Sequence, residues 1–504
     1  MKKMDIPYLD LMFLLGESKD ITQHVGGLMV FEKPSAKVGW NLEDLTDYLR
    51  AQTPVYPFNV IPEFGLFGRP SWQTVAKMDM AQHIRRASLP APGTPRQLDE
   101  FAAEQHAIGC DRSKPLFEVI VIDGLESGGF AIYVKIHHAI IDGASGLARI
   151  LASLSADPAE EFKKPLFAVE FPDSRHSAPT DLVGQLSNTV TDFTRQILSL
   201  GEMLNTVLSG KLFGALSGGL DLSSLPFTAP KTRFNGPIRY GRTLGRMGLP
   251  IKPMQAIAKS MGGTLNDALL AVVDGGSRRY LKALGETPSR PLVGLIPVSL
   301  RDPDDKEAGT KISVILCPLG QSDATMAERL PQIIANMDSA KREIRKLSKA
   351  AAASYSTTLF LIAQGLNATQ LAMPAATFTV SNVPGTRDQM YLGGVRLESF
   401  HPMNIIGTGV GVSFTVLGVG PVLELGIISS HDIVPDPERL VACCQEAFDE
   451  LLALAGKNAA AKSVETDGKA SADAPIEAAA KAPARKRAAA TRTTKGGAKK
   501  VIAS

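Results

Sequence analysis

The chain has 504 residues, of which 44% are hydrophobic and 21% charged, with a formal net charge of +3. That length exceeds one ordinary domain of about 100 to 200 residues and predicts two or three, and the lack of any uncharged apolar run of about 18 residues argues against an integral membrane protein. Four cysteines, at positions 110, 317, 443 and 444, have neither zinc-ligand spacing nor the density of a disulfide framework, so a cytoplasmic protein is expected.

In chain order, the opening MKKMDIPYLDLMFLLGE is interrupted by Asp5, Asp10 and Glu17 and no small-residue cleavage site follows, so it does not read as a secretion signal. His24 stands before Gly26 and Gly27, whose missing side chains allow a close approach of another group. Two short runs rich in β-branched and aromatic residues, Phe117 to Asp123 and Phe130 to His138, flank GLESGG and predict a hairpin.

The second run ends in HHAIIDG, His137 to Gly143. Residues of equal parity share one face of a strand, so Phe130, Ile132, Val134, Ile136 and His138 form an apolar row. Ala131, Tyr133, Lys135 and His137 form a more polar one, facing a second layer or solvent. The two histidines point apart. Neighbouring strand residues cannot ligate one ion without a bulge, and no third ligand stands at a familiar spacing, so no metal is predicted. Two readings of His138 remain: a satisfied core histidine ending an apolar row, or a positioned base. Asp142, Gly143, Ser145 and Gly146 imply a sharp turn into a helix at GLARILASL, and burial there would keep an imidazole neutral and able to take a proton. Asp142 either holds that loop or orients the second ring nitrogen.

Residues 156–235 begin with loop-forming Pro, Ser and Asp. They continue through Leu182, Leu186, Val190, Phe193 and Ile197 to Leu212 at helical spacing, a helical bridge that packs across two halves or lies on a lipid surface. Beyond it, Thr264 and Asp267 cap the helix NDALLAVVDGGSRRYLKAL, and PLVGLIPVSL, FTVSNV and GVSFTVL read as strands. Both halves are therefore α/β, helix layered on sheet, with boundaries at 1–155 and 236–456. A last helix starts at Asp436 and Pro437 and presents Leu440, Cys444, Phe448, Leu451 and Leu452 on one face, so Cys443 and Cys444 read as buried small hydrophobes. Residues 457–504 hold eleven Lys and Arg against four Asp and Glu and no aromatic residue. Such a segment is expected to be disordered, as a solvated extension or as an anchor for anionic surfaces, with no specific nucleic acid as partner.

There is no G-x-S-x-G elbow, no P-loop and no G-x-G-x-x-G after a strand, which removes support for serine hydrolase, nucleotide-hydrolysing and dinucleotide-binding functions. A base without a protein nucleophile fits direct transfer, in which a deprotonated hydroxyl or amine attacks an acyl thioester.

HHAIIDG resembles the HHxxxDG motif of the bacterial wax ester synthase/acyl-CoA:diacylglycerol acyltransferase family, related to chloramphenicol acetyltransferase and condensation domains. Supporting segments stand in the expected order: DLMFLLGE, HVGGL, HIRRASLPAPG, DRSKPLFE, FNGPI, LNDALL, PVSLR and SNVPG, over roughly residues 5–455. The resemblance implies two chloramphenicol acetyltransferase-like domains with an active-site channel between them. It implies acyl transfer from a long-chain acyl-CoA to a fatty alcohol or to diacylglycerol, with no covalent acyl-enzyme and no cofactor, acyl-CoA being a substrate. It makes His138 the base, His137 auxiliary and Asp142 mainly structural, with Gly143 permitting the turn.

An oxyanion stabiliser for the thioester carbonyl is expected, and Asn266 and Asn382 are the candidates. Ser381 and His24 are the further substrate-binding candidates, although Ser381, Asn382 and Pro384 also read as a turn after a strand. Two positions depart from the family pattern: Phe117 stands where Trp is usual and Cys110 where Leu is usual. Long-chain substrates partition into lipid, so a peripheral place on an inner membrane or lipid inclusion is expected. The rival functions are transfer to another hydroxyl acceptor and a non-catalytic lipid-particle protein of the same fold.

Overall fold

The computed structural model describes residues 3–65, 70–170, 229–299, 312–346 and 374–472. The expected bridge helix from Leu182 to Leu212, Arg301 of PVSLR and the tail beyond residue 472 lie outside the described residues.

A small sheet near the N-terminus has the order β1 (Lys3–Asp5), β4 (Ser71–Thr74), β3 (Val60–Glu63), with helix α1 (Tyr8–Leu15) following its first strand. The first large sheet has six strands in the order β12 (Tyr391–Leu392), β13 (Val395–Met403), β2 (His24–Phe31), β7 (Phe130–His137), β6 (Phe117–Asp123) and β5 (Ile84–Ser88). The expected hairpin is β6–β7, antiparallel from Phe117↔Ile136 to Ile122↔Ala131. The second large sheet runs β10 (Ile312–Pro318), β9 (Val293–Ser299), β11 (Phe378–Thr386), β14 (Val412–Val419), β15 (Val422–Ser430) and β8 (Arg242–Pro250).

Strand β7 explains how the first sheet is covered. All eight of its residues are buried, and its two faces belong to different cores. Ile132, Val134 and Ile136 pack with Met29 and Phe31, and with Leu45 and Leu49 of α2 (Leu42–Ala51). Ala131 and Tyr133 face α3 (Pro95–Ala107), packing with Leu98, Ala102 and Ala103 in a core that continues through the second half to Leu451 and Ala455. Fully burying one such aliphatic side chain contributes about 1.5–3 kcal/mol, so the alternation of β7 favours a covered sheet on both sides. The more polar row thus meets a second layer, α3, rather than solvent.

Helix α3 is capped by a Thr94–Gln97 box with Pro95 in its first turn, and it packs in turn on β8 of the second sheet. The second half also lends strands to the first: β12 and β13 come from residues 391–403, within the expected 236–456 half, yet β13 pairs with β2 from Leu397↔Phe31 to Met403↔Gly26. Of the segment 156–235, residues 156–170 run along the first half, where Phe162 packs on Trp40 and Tyr48 and Phe167 stacks on Phe117.

Around the second sheet lie α5 (Ile251–Ser260), α6 (Leu265–Ala283), α7 (Met326–Lys346) and α8 (Pro437–Ala472). The predicted Thr264–Asp267 cap is present as a reciprocal capping box on α6. In α8, Leu440, Cys444, Phe448 and Leu451 are buried as expected, whereas Leu452 is 36% exposed. That helix continues to Ala472, past Lys457 where disorder was expected; the Ala and Lys residues that offer no core are good helix formers and carry the backbone on.

Candidate active site

His137 and His138 stand on opposite sides of a strand end. β7 closes at His137, one residue before the expected end, because its partner β2 starts at His24, directly opposite. His138 opens the turn, and its N–H donates to the Gln23 carbonyl at 2.8 Å. The ring stacks on Phe13 of α1 with centroids 4.3 Å apart. The side is the one parity indicates, since Phe13 packs against the same core as Ile132 and Ile136. The expected burial is only partial: His138 is half-buried, because the chain turns away from the sheet before its ring is covered.

His137 is fully enclosed at 0% exposure. Its Nδ1 accepts the Ala139 N–H at 3.1 Å, so the proton of the neutral ring sits on Nε2. That Nε2 lies 3.6 Å from Glu17 Oε2, beyond hydrogen-bond distance but within reach of a direct electrostatic attraction. Arg112 donates to the same Glu17 oxygen from Nε at 3.2 Å and from a terminal nitrogen at 2.9 Å. Burial pushes the Glu17 carboxyl up, but His137, Arg112 and the Gln23 N–H outweigh it and hold the carboxyl below its ordinary value.

The rest of this face of β7 is a buried polar network. Lys135 is 2% exposed; it pairs with Glu118 at 2.9 Å and donates to the Gln105 and Ile108 carbonyls. Tyr133 Oη lies 2.9 Å from His106 Nδ1, and burial drives the His106 imidazole down to about 3.

Asp142 is the N-cap of α4 (Gly143–Ala152): its carboxylate accepts from the Ser145 N–H at 2.8 Å and from the Ser145 hydroxyl at 3.0 Å. These contacts hold the loop where it enters α4. Gly143 does not play its expected part. It is the first helical residue, its φ is not positive, and an added Cβ would meet nothing within 4 Å, so the turn does not require glycine and the space beside it is open.

One strand of the second half reaches the helix that follows this turn. Helix α4 packs against β11, the strand that carries Ser381 and Asn382. Strand β11 pairs with β9 only at Phe378 and Thr379 and then follows β14 alone, so its edge is open beyond that point among the described residues. There Asn382 Nδ2 faces Asn266 Oδ1 at 3.5 Å, the limit of a hydrogen bond, next to the N-terminus of α6. Ser381 pairs with Thr415 inside the strand, so SNVPG is not the turn its Pro and Gly suggest. An added Cβ on Gly385 would stand 1.8 Å from the Gly418 carbonyl; the glycine serves a close strand approach.

His24 is a correction. It is 0% exposed and donates from Nε2 to the His106 carbonyl at 2.9 Å. The glycines beside it do permit close approach, but by the His106 ring at Gly26 and the Phe400 ring at Gly27. Phe117, at the usual tryptophan position, is 4% exposed and stacks on His83 and Phe167, so it fills the core. An apolar cavity of about 40 Å³ between β2, β7 and α2 is lined by Met29, Tyr48, Val134, Leu154 and Phe167 among others, none of them an expected site residue.

Residues 7–269 match the wax ester synthase/diacylglycerol acyltransferase catalytic domain, and residues 308–452 match the C-terminal domain of the same proteins. The chain belongs to this family. It is 32% identical over 454 residues to a putative diacylglycerol O-acyltransferase of Mycobacterium tuberculosis, covering 88% of this chain and 98% of the relative. A second relative, named a probable diacylglycerol O-acyltransferase of the same organism, is 30% identical over 454 residues, with 88% and 97% covered. The solved wax ester synthase/diacylglycerol acyltransferase of Marinobacter aquaeolei superposes with a TM-score of 0.71 at 26% identity, covering 90% of this chain and all of that one. The first condensation domain of the calcium-dependent antibiotic synthetase shares the fold, with a TM-score of 0.53 at 15% identity and coverage of 90% and 97%.

This wax ester synthase/diacylglycerol acyltransferase family member is thus an acyltransferase with the expected mixed α/β fold. Among the described residues no helix is long and apolar enough to cross a membrane, and no group of three or more His, Cys, Asp or Glu could hold a metal ion. Nothing in the sequence assigns a role to Glu17 or Arg112, although both lie in family-like segments, DLMFLLGE and DRSKPLFE. A carboxylate just past an apolar helix was the available signal; its partner stands 120 positions away.

Proposed function

We propose that the protein transfers a long-chain acyl group from acyl-CoA to the hydroxyl of a fatty alcohol, giving a wax ester, or of diacylglycerol, giving triacylglycerol, with His138 as general base. The carrying observation is that His138 is the half-buried member of the pair, backed by Phe13 and fixed through its backbone, while His137 is sealed inside the sheet. A neutral ring nitrogen of His138 takes the acceptor's hydroxyl proton as the oxygen attacks the thioester carbonyl. The tetrahedral intermediate then collapses, the C–S bond breaks, and the imidazolium returns the proton to the leaving CoA thiolate. General-base assistance of this kind contributes about 10²- to 10⁴-fold.

The side-chain amides of Asn266 and Asn382 are the donors proposed for the carbonyl oxygen, with Ser381 beside them on β11. A preorganised donor of this type is worth about 10²- to 10³-fold in rate. Gly143 leaves room beside the turn for substrate. The names of the relatives and of the solved structure support both acceptors. Because both long-chain substrates partition into lipid, the reaction is placed at a cytoplasmic membrane or inclusion surface, with the basic segment after Lys457 as an anchor to anionic headgroups.

The test offers radiolabelled palmitoyl-CoA with hexadecanol and with diacylglycerol in parallel to folded protein. Formation of either ester with release of CoA is expected; formation of neither would end this reading. Cosedimentation with anionic vesicles should weaken when residues 457–504 are removed, and equal binding by both forms would exclude the tail.

A further inference from the structure

Glu17 carries a buried negative charge that the reaction above does not use. It lies in the loop that leaves α1, and two separate contacts lead from its carboxylate to the histidine pair. On one side Oε2 faces the protonated Nε2 of His137 at 3.6 Å, and the Nδ1 of that ring accepts the Ala139 N–H inside the turn. On the other side Oε1 accepts the Gln23 N–H at 3.2 Å, and the Gln23 carbonyl accepts the His138 N–H at 2.8 Å. The carboxylate is itself held by Arg112, which also donates to the Leu14 carbonyl at the end of α1.

The same loop is tied to the second half of the molecule. Asp20 accepts the Tyr240 N–H at 2.9 Å through its carboxylate and an Arg242 N–H at 2.7 Å through its carbonyl. A simple surface ion pair would show none of this: the Glu17 side chain is 9% exposed and His137 is fully enclosed. A charge so placed is costly to bury, and here it is matched by hydrogen bonds from a guanidinium and a backbone N–H, with the His137 imidazole 3.6 Å away.

We infer that Glu17, locked by Arg112, is the positioning residue of the site: it fixes the His137 ring and the Gln23 peptide, and through them the turn that presents His138. The inference rests on the reading of His138 as the base. Misplacing a reacting group by about 1 Å costs on the order of 10²-fold in rate, so loss of Glu17 acts on turnover and leaves the affinity for acyl-CoA nearly intact.

Steady-state kinetics of the full chain with palmitoyl-CoA and hexadecanol test it, using E17Q, E17A, H137Q and the double variant E17Q/H137Q beside H138A. Glu17→Gln keeps the shape and the acceptor for Gln23 but removes the charge, so it remains informative if the alanine variant does not fold. Glu17→Gln should lower kcat by about 10- to 100-fold, with KM for palmitoyl-CoA within about twofold. Because Glu17 acts through His137, the double variant should lose little more than H137Q alone. Wild-type kcat in E17Q, or losses that multiply in the double variant, would overturn the role of Glu17 while an inactive H138A keeps the base in place. Full activity in H138A would overturn both.

Discussion

The two faces of β7 bury their side chains equally and stabilise the protein by different physics. On one face Ile132, Val134 and Ile136 are apolar, and their contribution is transfer from water and close packing. On the other, Tyr133, Lys135 and His137 lie at 2% exposure or less, each against a polar partner: His106, Glu118 and Glu17. The first face carries no titratable side chain; on the second every member is titratable and buried. The histidine pair straddles this division: His137 completes the polar network, and His138, one residue further, leaves the sheet on the apolar side, half-buried against Phe13.

Acid should separate the faces most strongly. Burial holds His24 and His401 well below their ordinary pKa and His106 down to about 3. A folded-state pKa below the unfolded value near 6.5 means that the unfolded chain binds more protons, so this stability is present above about pH 6.5 and is lost as pH falls towards the folded value. Asp99 and Glu424, raised by burial to about 6 and about 7, act in the opposite direction and lose their contribution as pH rises through those values. Comparing His106→Gln with wild type in urea unfolding isolates one term: the deficit of the variant at pH 7 should shrink as pH falls below 6.5. A deficit constant from pH 7 to 4 would contradict the burial of a neutral imidazole.

Glu118→Ala is the next largest break, because it leaves the Lys135 ammonium buried without its carboxylate. A loss of about 3 kcal/mol in unfolding free energy is expected, against a negligible change if water reaches the lysine. On the apolar face Ile132→Val should cost about 1 kcal/mol, and that cost should not vary between pH 7 and 5. Smallest is Asp142→Ala, which removes the cap of α4 and should cost about 1 kcal/mol or less in stability, with a larger effect on kcat than on melting if the cap holds the catalytic turn.

Features set by neighbours in the chain could be read from the sequence. The β6–β7 hairpin, the parity that splits His137 from His138, the Thr264–Asp267 box and the buried Cys443 and Cys444 all follow from local periodicity and capping chemistry. The motif order also pointed to the family that the chain proves to belong to. What was not legible depends on pairing across long separations. Nothing near residues 391–403 indicates that β13 joins β2, since an alternating apolar strand fits either sheet edge. His24 looked open because glycines follow it, and only the arrival of His106 and Phe400 shows what those glycines admit. The side-chain partners of Glu17 stand on other elements, His137 on β7 and Arg112 in the loop before β6, so nothing beside it in the sequence marks them.

The proposed division of work between the two adjacent histidines is tested most directly by side-by-side turnover of H138A and H137Q with palmitoyl-CoA and hexadecanol. A loss of about 10²- to 10⁴-fold in kcat is expected for H138A with folding unchanged, and a smaller loss for H137Q accompanied by reduced stability. Wild-type turnover in H138A, or an inactive but fully stable H137Q beside it, would contradict the assignment.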